Sequence, residues 1–285
     1  MIRHLIAGLA MTGIAALTLA ASPLRADEWS KSYPINGRAN LTVSTGDGDV
    51  IVTGSSKSTI DARVTTTGYK LGPNDVQIVE SQNGNSINIE LKFPHMNWNW
   101  GGHHSVKVEL QVPSELDMNL HTSDGNITAK TVSGNMNFDT GDGNVDATQV
   151  RGTVKMRTGD GNMTGTGFDG SLEASTGDGN VRVEGRFDTL DVKSGDGNID
   201  AQANTGSKVA SNWNVRSGDG RITLRVPGDL NANLDVHTGD GSISADVPVT
   251  VSGTINHQSL RGKLNAGGGT LAVSTGDGSI HIEKI

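Results

Sequence analysis

Apolar and polar residues alternate through most of the chain, and between residues 121 and 199 the alternation locks onto a repeat of fixed length. A phrase close to Ser/Thr-Gly-Asp-Gly-Asn recurs nine times, and five of its aspartates, Asp124, Asp142, Asp160, Asp178 and Asp196, stand 18 residues apart. Counted from each aspartate, the third position is Ile127, Val145, Met163, Val181 and Ile199. The eighth is Val132, Val150 and Phe168, then Arg186 with Phe187 one step late. The twelfth is Met136, Val154, Leu172 and Leu190, and the fourteenth is Phe138, Met156, Ala174 and Val192. Apolar positions two apart are the mark of a strand with one face on a core. The tenth position, Gly134, Gly152, Gly170 and then Asp188, reads as a second corner. Each unit is therefore expected to hold two short strands and two turns. It cannot bury its inward row alone and must stack on its neighbours in parallel, about 4.8 Å apart. The fold class that follows is all-β, a parallel β-helix or β-solenoid with two-strand coils of about 18 residues.

Beyond Asp196 the intervals lengthen to 23, 21 and 37 residues, ending at Asp219, Asp240 and Asp277. The last is about twice the period, and SLRGKLNAGGGTL within it suggests a further glycine-rich corner, so it reads as two coils. Residues 27–115 lack the beat but keep the alternation, as in LTVSTGDGDVIV and SINIELKF, with Pro34, Pro73 and Pro94 between runs. This part is expected to be wider or sandwich-like and to cap the stack. The organisation predicted is a signal peptide at 1–26, a capping β region at 27–115, and repeats at 116–285 continuous with it as one structural unit. VELQVPSELDMNLHTSDG at 108–125 resembles ITLRVPGDLNANLDVHTGDG at 222–241, which supports that continuity.

The first 26 residues carry Arg3, an apolar run from Leu5 to Ala21 and Ala26 before DEWS, the pattern of a cleaved secretory signal. Gly8, Thr12, Gly13 and Thr18 dilute the run as a membrane span, and none is expected once the signal is removed. Cleavage takes Arg3 and Arg25 and leaves 21 basic against 31 acidic residues, a net charge of −10. That charge argues against nucleic acid as a partner. The chain has no cysteine, which excludes disulfides, a thiol nucleophile and a lipid anchor through Cys. The expected location is periplasmic, secreted or at the cell surface.

Two readings of the aspartate column stand side by side. In one, each Asp shapes its corner by accepting backbone N–H bonds, helped by the preceding Thr or Ser, while Asn126, Asn144, Asn162, Asn180 and Asn198 form an amide ladder. In the other, Asp142, Asp160, Asp178 and Asp196 bind Ca²⁺ between coils. Toxin-type nonapeptide repeats do this with two acidic phrases per 18-residue coil, and here only one half of each coil carries one. The corner role is preferred, and no cofactor is expected.

The segment PHMNWNWGGHH at 94–104 concentrates Trp98, Trp100, His95, His103 and His104. It reads as a hairpin tip packed on the edge of the stack, as an aromatic platform for a sugar or peptide, or as a metal site. Adjacent His103 and His104 would point apart on an extended backbone, which disfavours the last. His121 and His237 read as solvated strand-end residues. No nucleophile elbow is present, and the acids are spread one per coil rather than gathered on one cleft, so no catalytic residue is expected. A polysaccharide-active β-helix enzyme is the alternative, as is a Ca²⁺-binding repeat protein.

The signal-like start, the repeated [ST]-G-D-G-[ND]-[VI] corners, V-P-x-x-L before a coil and the closing LRGKLNAGGGTLAVSTGDGSIHIEKI resemble the bacterial "putative adhesin" family of unknown function. The resemblance spans most of residues 37–285 and implies a β-solenoid exported to the cell envelope; a non-catalytic role in binding an envelope protein or glycan is the expectation set beside it. It brings no catalytic residues, does not extend to the loop at 94–104, and leaves self-association open.

Overall fold

The computed structural model describes residues 26–93, 104–251 and 256–285, and among them every regular element is a β-strand. Four strands of 14 residues, Ile127–Thr140, Val145–Thr158, Met163–Thr176 and Val181–Ser194, form the regular middle. They pair in parallel at the spacing of the repeat, Ile127 beside Val145, Val145 beside Met163 and Met163 beside Val181. Their apolar columns point inward: Val154, Phe138 and Leu190 are all buried.

The second corner is not a break. Pairing continues through it, Gly134 beside Gly152 and Thr153 beside Asn135, so each unit is one bent strand and one turn rather than two strands and two turns. The bend is made at glycines with left-handed backbone, φ +139° at Gly134, +108° at Gly152 and +140° at Gly170. A Cβ on Gly152 would run into the carbonyl of Gly134 in the unit before. Against the third strand the register of the fourth shifts between Thr166 and Phe168 and again between Gly170 and Ser171, and Phe187 falls in the stretch between the two, beside Gly170. Phe187 is fully buried between Phe168 and Trp213, with centroids 6.2 and 6.3 Å away.

Both ends depart from sequence order. Near the start, Ala39–Thr45 lies between Ser86–Lys92 and Leu116–Thr122. Likewise Asp49–Ser55 lies between Ser105–Pro113 and Ile127–Thr140. Outside these, Thr59–Thr67 runs antiparallel to Ser105–Pro113 and to Ala26–Pro34, and Gln77–Asn83 runs antiparallel to Ser86–Lys92. At the far end Thr270–Thr275 inserts between Trp213–Ser217 and Ala232–Thr238. Ile280–Lys284 inserts between Ile222–Val226 and Ile243–Asp246.

The 37-residue interval therefore does not make two parallel coils. Part of it, Ser259–Leu264, turns back antiparallel onto Ala232–Thr238. One buried apolar cluster nonetheless runs from Tyr33 to Ile282. The corners stack in the spatial order Asp47, Asp124, Asp142, Asp160, Asp178, Asp196, Asp219, Asp277, Asp240.

Candidate interaction surface

Each interior corner is completed by the one before it. The Thr158 hydroxyl is buried, donates to the carbonyl of Gly143 at 2.8 Å, and accepts from its own Gly161 N–H at 3.1 Å. Thr140, Thr176, Ser194 and Ser217 repeat the pattern on Gly125, Gly161, Gly179 and Gly197. The main chain adds Gly159 N–H to Gly141 and Gly177 N–H to Gly159, at 2.5 and 2.6 Å. The second glycine of each phrase is held to that residue type by contact: a Cβ on Gly143, Gly161 or Gly179 would overlap the preceding corner's carbonyl.

The amide ladder forms as the spacing suggests. It starts at Asp49, which accepts from Asn126 at 2.9 Å, and runs through Asn144, Asn162, Asn180 and Asn198 with side-chain steps of 3.1 to 3.4 Å. It closes on the backbone N–H of Arg221, which donates to Asn198 at 2.9 Å.

This leaves the aspartates without a local task. Asp142, Asp160, Asp178 and Asp196 are exposed, and their carboxylates take no hydrogen bond or ion pair from the described residues. The glycine N–H groups that an Asx turn would direct to Asp are accepted by the Thr and Ser hydroxyls instead. The four stand in one row, stacked at the strand spacing of about 4.8 Å. The neighbouring glycine carbonyls already accept Thr hydroxyls or N–H groups, so a Ca²⁺ ion in the row would draw on single carboxylates and water, where calcium takes 6–8 oxygens. Among the described residues no three His, Cys, Asp or Glu side chains are grouped to hold a metal.

The first corner differs. The Thr45 hydroxyl is buried with no hydrogen-bond partner. Phe93 lies over Gly46, and Asp47 sits beside Asp124; desolvation and then that neighbouring carboxylate raise its pKa. Tyr69 packs edge-on to Phe93 at 6.0 Å and against His104 at 4.7 Å. Burial, followed by Asp47 and Asp75, raises the Tyr69 hydroxyl. His95, Trp98, Trp100 and His103 lie outside the described residues. Their segment joins Ser86–Lys92 to Ser105–Pro113, where the neighbouring unit has the short corner Gly46–Gly48. Of the loop candidates, His104 is thus placed with Tyr69 and Phe93 at the head of the acidic row. Neither aromatic stood out in the sequence, because each belongs to a segment without the repeat.

Two further features come from residues far apart in the chain. An open groove of about 680 Å³ on the outer sheet face is lined by Lys31, Lys57, Asp61, Arg63, Glu109 and Gln111 among others. Its cations are paired, Lys57 with Asp61 at 2.7 Å and Arg63 with Glu28 at 2.7 Å. At the other end Ser244 Oγ is hydrogen-bonded to His281 Nδ1, and His281 Nε2 is 2.8 Å from Glu283. The carboxylate of Glu283 also accepts from Arg225 at 3.0 Å, so this triad is part of an ion-pair row on the open sheet surface. His121 and His237 are exposed, and His121 meets Asp139 at 3.1 Å. No helix among the described residues is long and apolar enough to cross a membrane.

No curated protein sequence matches the chain. Among solved structures, a "putative lipid binding protein" from Parabacteroides distasonis ATCC 8503 is 17% identical over 90% of this chain and 96% of its own, with a TM-score of 0.47. A "putative adhesin" from the same organism is 15% identical over 90% and 97%, also at 0.47. One from Bacteroides fragilis NCTC 9343 is 12% identical over 91% and 97%, at 0.45. The Toastrack DUF4097 family profile matches residues 38–283, which include every corner of the row from Asp47 to Asp277, and the chain belongs to that family.

Proposed function

We propose that the protein is an exported, non-catalytic β-solenoid of the cell envelope that binds an envelope protein or glycan. The observation that carries the reading is the row of exposed aspartates, which the corners do not use for their own hydrogen bonds. A rigid backbone that displays evenly spaced carboxylates suits recognition of an extended partner, because the display is preorganised. The signal-like residues 1–26 support export, and residues 27–115 serve as the cap of residues 116–285 in one unit.

The test is a binding screen of the mature chain against envelope glycans and envelope extract, beside a variant with Asp142, Asp160 and Asp178 replaced by Asn. Loss of retention with an unchanged melting temperature supports the row as the binding surface. Release of reducing sugar from an envelope polysaccharide, or labelling of Ser244 by a fluorophosphonate, would replace this reading with a hydrolase.

A further inference from the structure

The amide ladder is held by its backbone as well as by its side chains. At each step a backbone N–H donates to the side-chain oxygen of the preceding residue in the stack: Asn126 to Asp49, Asn144 to Asn126, Asn162 to Asn144, Asn180 to Asn162 and Asn198 to Asn180, all at 2.9 Å. Arg221 donates to Asn198 in the same way. The next residue in the stack is Ser279, since Ile222 lies beside Ile280 and its N–H donates to the Ser279 carbonyl at 3.0 Å. Here the pattern fails, because a guanidinium has donors and no acceptor. By the geometry of the ladder Ser279 N–H is directed at the Arg221 side chain, and it meets no partner among the described residues.

An open groove of about 570 Å³ lies at this step, lined by Arg182, Asp200, Asp219, Arg221, Thr223 and Ser279 among others. The unit carrying Asp240 stands between it and the end of the stack. The Arg221 guanidinium makes no ion pair or hydrogen bond among the described residues. Arg182, 75% exposed, meets only Asp200 at 3.8 Å, and Asp200 is hydrogen-bonded by Arg225. The side chains of Asp219 and Thr223 are likewise without a hydrogen bond among the described residues. The groove thus gathers two cations with little to hold them, a backbone donor, and polar groups that can meet hydroxyls.

We propose that this break in the ladder is a carboxylate site that seats a uronic-acid residue of an acidic glycan. One carboxylate oxygen accepts from Ser279 N–H, as an Asn Oδ1 does at the earlier steps, and the other accepts from the Arg221 guanidinium, which suits a planar anion. Arg182 adds its charge from across the groove. Ring hydroxyls both donate and accept, so they match Asp219 and Thr223. A bare phosphate has no such donors and would face Asp200 and Asp219 as like charges. The inference rests on the reading of the protein as a glycan binder and adds a site apart from Asp142, Asp160 and Asp178.

The test is titration calorimetry of the mature protein with oligomers of galacturonate, beside the same oligomers methyl-esterified. Binding is expected with the free acid and not with the ester. Arg221→Asn supplies the acceptor that Ser279 N–H lacks and so continues the ladder; it is expected to keep or raise the melting temperature while weakening binding about tenfold or more. Arg182→Gln is expected to weaken binding by a smaller factor. The variant with Asp142, Asp160 and Asp178 replaced by Asn is expected to bind these oligomers as wild type does, so the aspartate row and this site can fail separately. The inference is overturned by a wild type that does not bind the oligomers, by an affinity unchanged in Arg221→Asn, or by acetate or inorganic phosphate binding as tightly as the oligomers, since the ring hydroxyls would then contribute nothing.

Discussion

The first corner, STGDGD at 44–49, and an interior one, RTGDGN at 157–162, share a phrase but not an environment. Thr158 donates across the stack and accepts within its own corner; Thr45 is equally buried and does neither. A Cβ on Gly161 meets a backbone carbonyl, while on Gly48 it meets the Thr45 hydroxyl at 2.7 Å and a Val106 methyl at 3.3 Å. Interior aspartates are in open solvent, whereas Asp47 sits beside Asp124, where desolvation and that carboxylate raise its pKa. The energy of a repeat therefore depends on the unit that precedes it in space. Identical letters do not make identical contributions when each unit is finished by its neighbour.

The largest expected separation comes from glycine. Gly161→Ala must push two backbones apart and should cost about 3 kcal/mol, read as a lowered denaturation midpoint. Gly48→Ala meets only side chains, which can rotate, and should cost about 1 kcal/mol or less. Equal losses at the two sites would break the comparison. Next is Thr158→Val, which keeps the shape but leaves Gly143 C=O and Gly161 N–H without their partner, at about 2 kcal/mol. Thr45→Val removes an unpaired buried hydroxyl and should leave stability unchanged or raise it.

A smaller effect is expected from charge. The Asp47 pKa is raised in the folded protein, so its ionised form opposes folding; that penalty is absent below the usual value of 3.8 and develops as pH rises through the higher folded value. Asp47→Asn should thus melt above wild type at pH 7 and match it in acid. The opposite sign holds for Asp117, whose pKa is lowered by its hydrogen bond to Arg38: its stabilisation is present above 3.8 and is lost as pH falls through the lower folded value. Smallest of all, Lys155→Gln breaks a part-exposed ion pair with Glu173 at 2.9 Å and should cost about 0.5 kcal/mol or less.

The regular middle was readable because its evidence is local: apolar columns at a fixed period determine which residues pair, and Phe187, one step late in its column, falls where the structure shows the register shifted. The bent strand was not readable, since a glycine at the tenth position suits a turn and a continuous kink equally. Stacking order at the ends was hidden for a different reason. The phrases around Asp219, Asp240 and Asp277 are near-copies, and nothing in a copy says which neighbour it will face. The use of Thr rather than Asp in the corner bonds was only half visible, as both residue types favour tight turns. The loop near Asp47 announced itself by composition, yet its described companions Tyr69 and Phe93 came from long-range packing.

The insertion of Thr270–Thr275 and Ile280–Lys284 between earlier strands imposes an order of assembly. A chain emerging from the ribosome N-terminus first can add one unit upon another only as far as Trp213–Ser217 and Ile222–Val226. The next two strands to appear must wait, because the place beside those strands is reserved for the last sixteen residues. Growth by simple accretion thus gives way to a closing step that resembles setting a keystone, and a nascent chain stalled short of Thr270 holds a gap within its stack, not a missing tip.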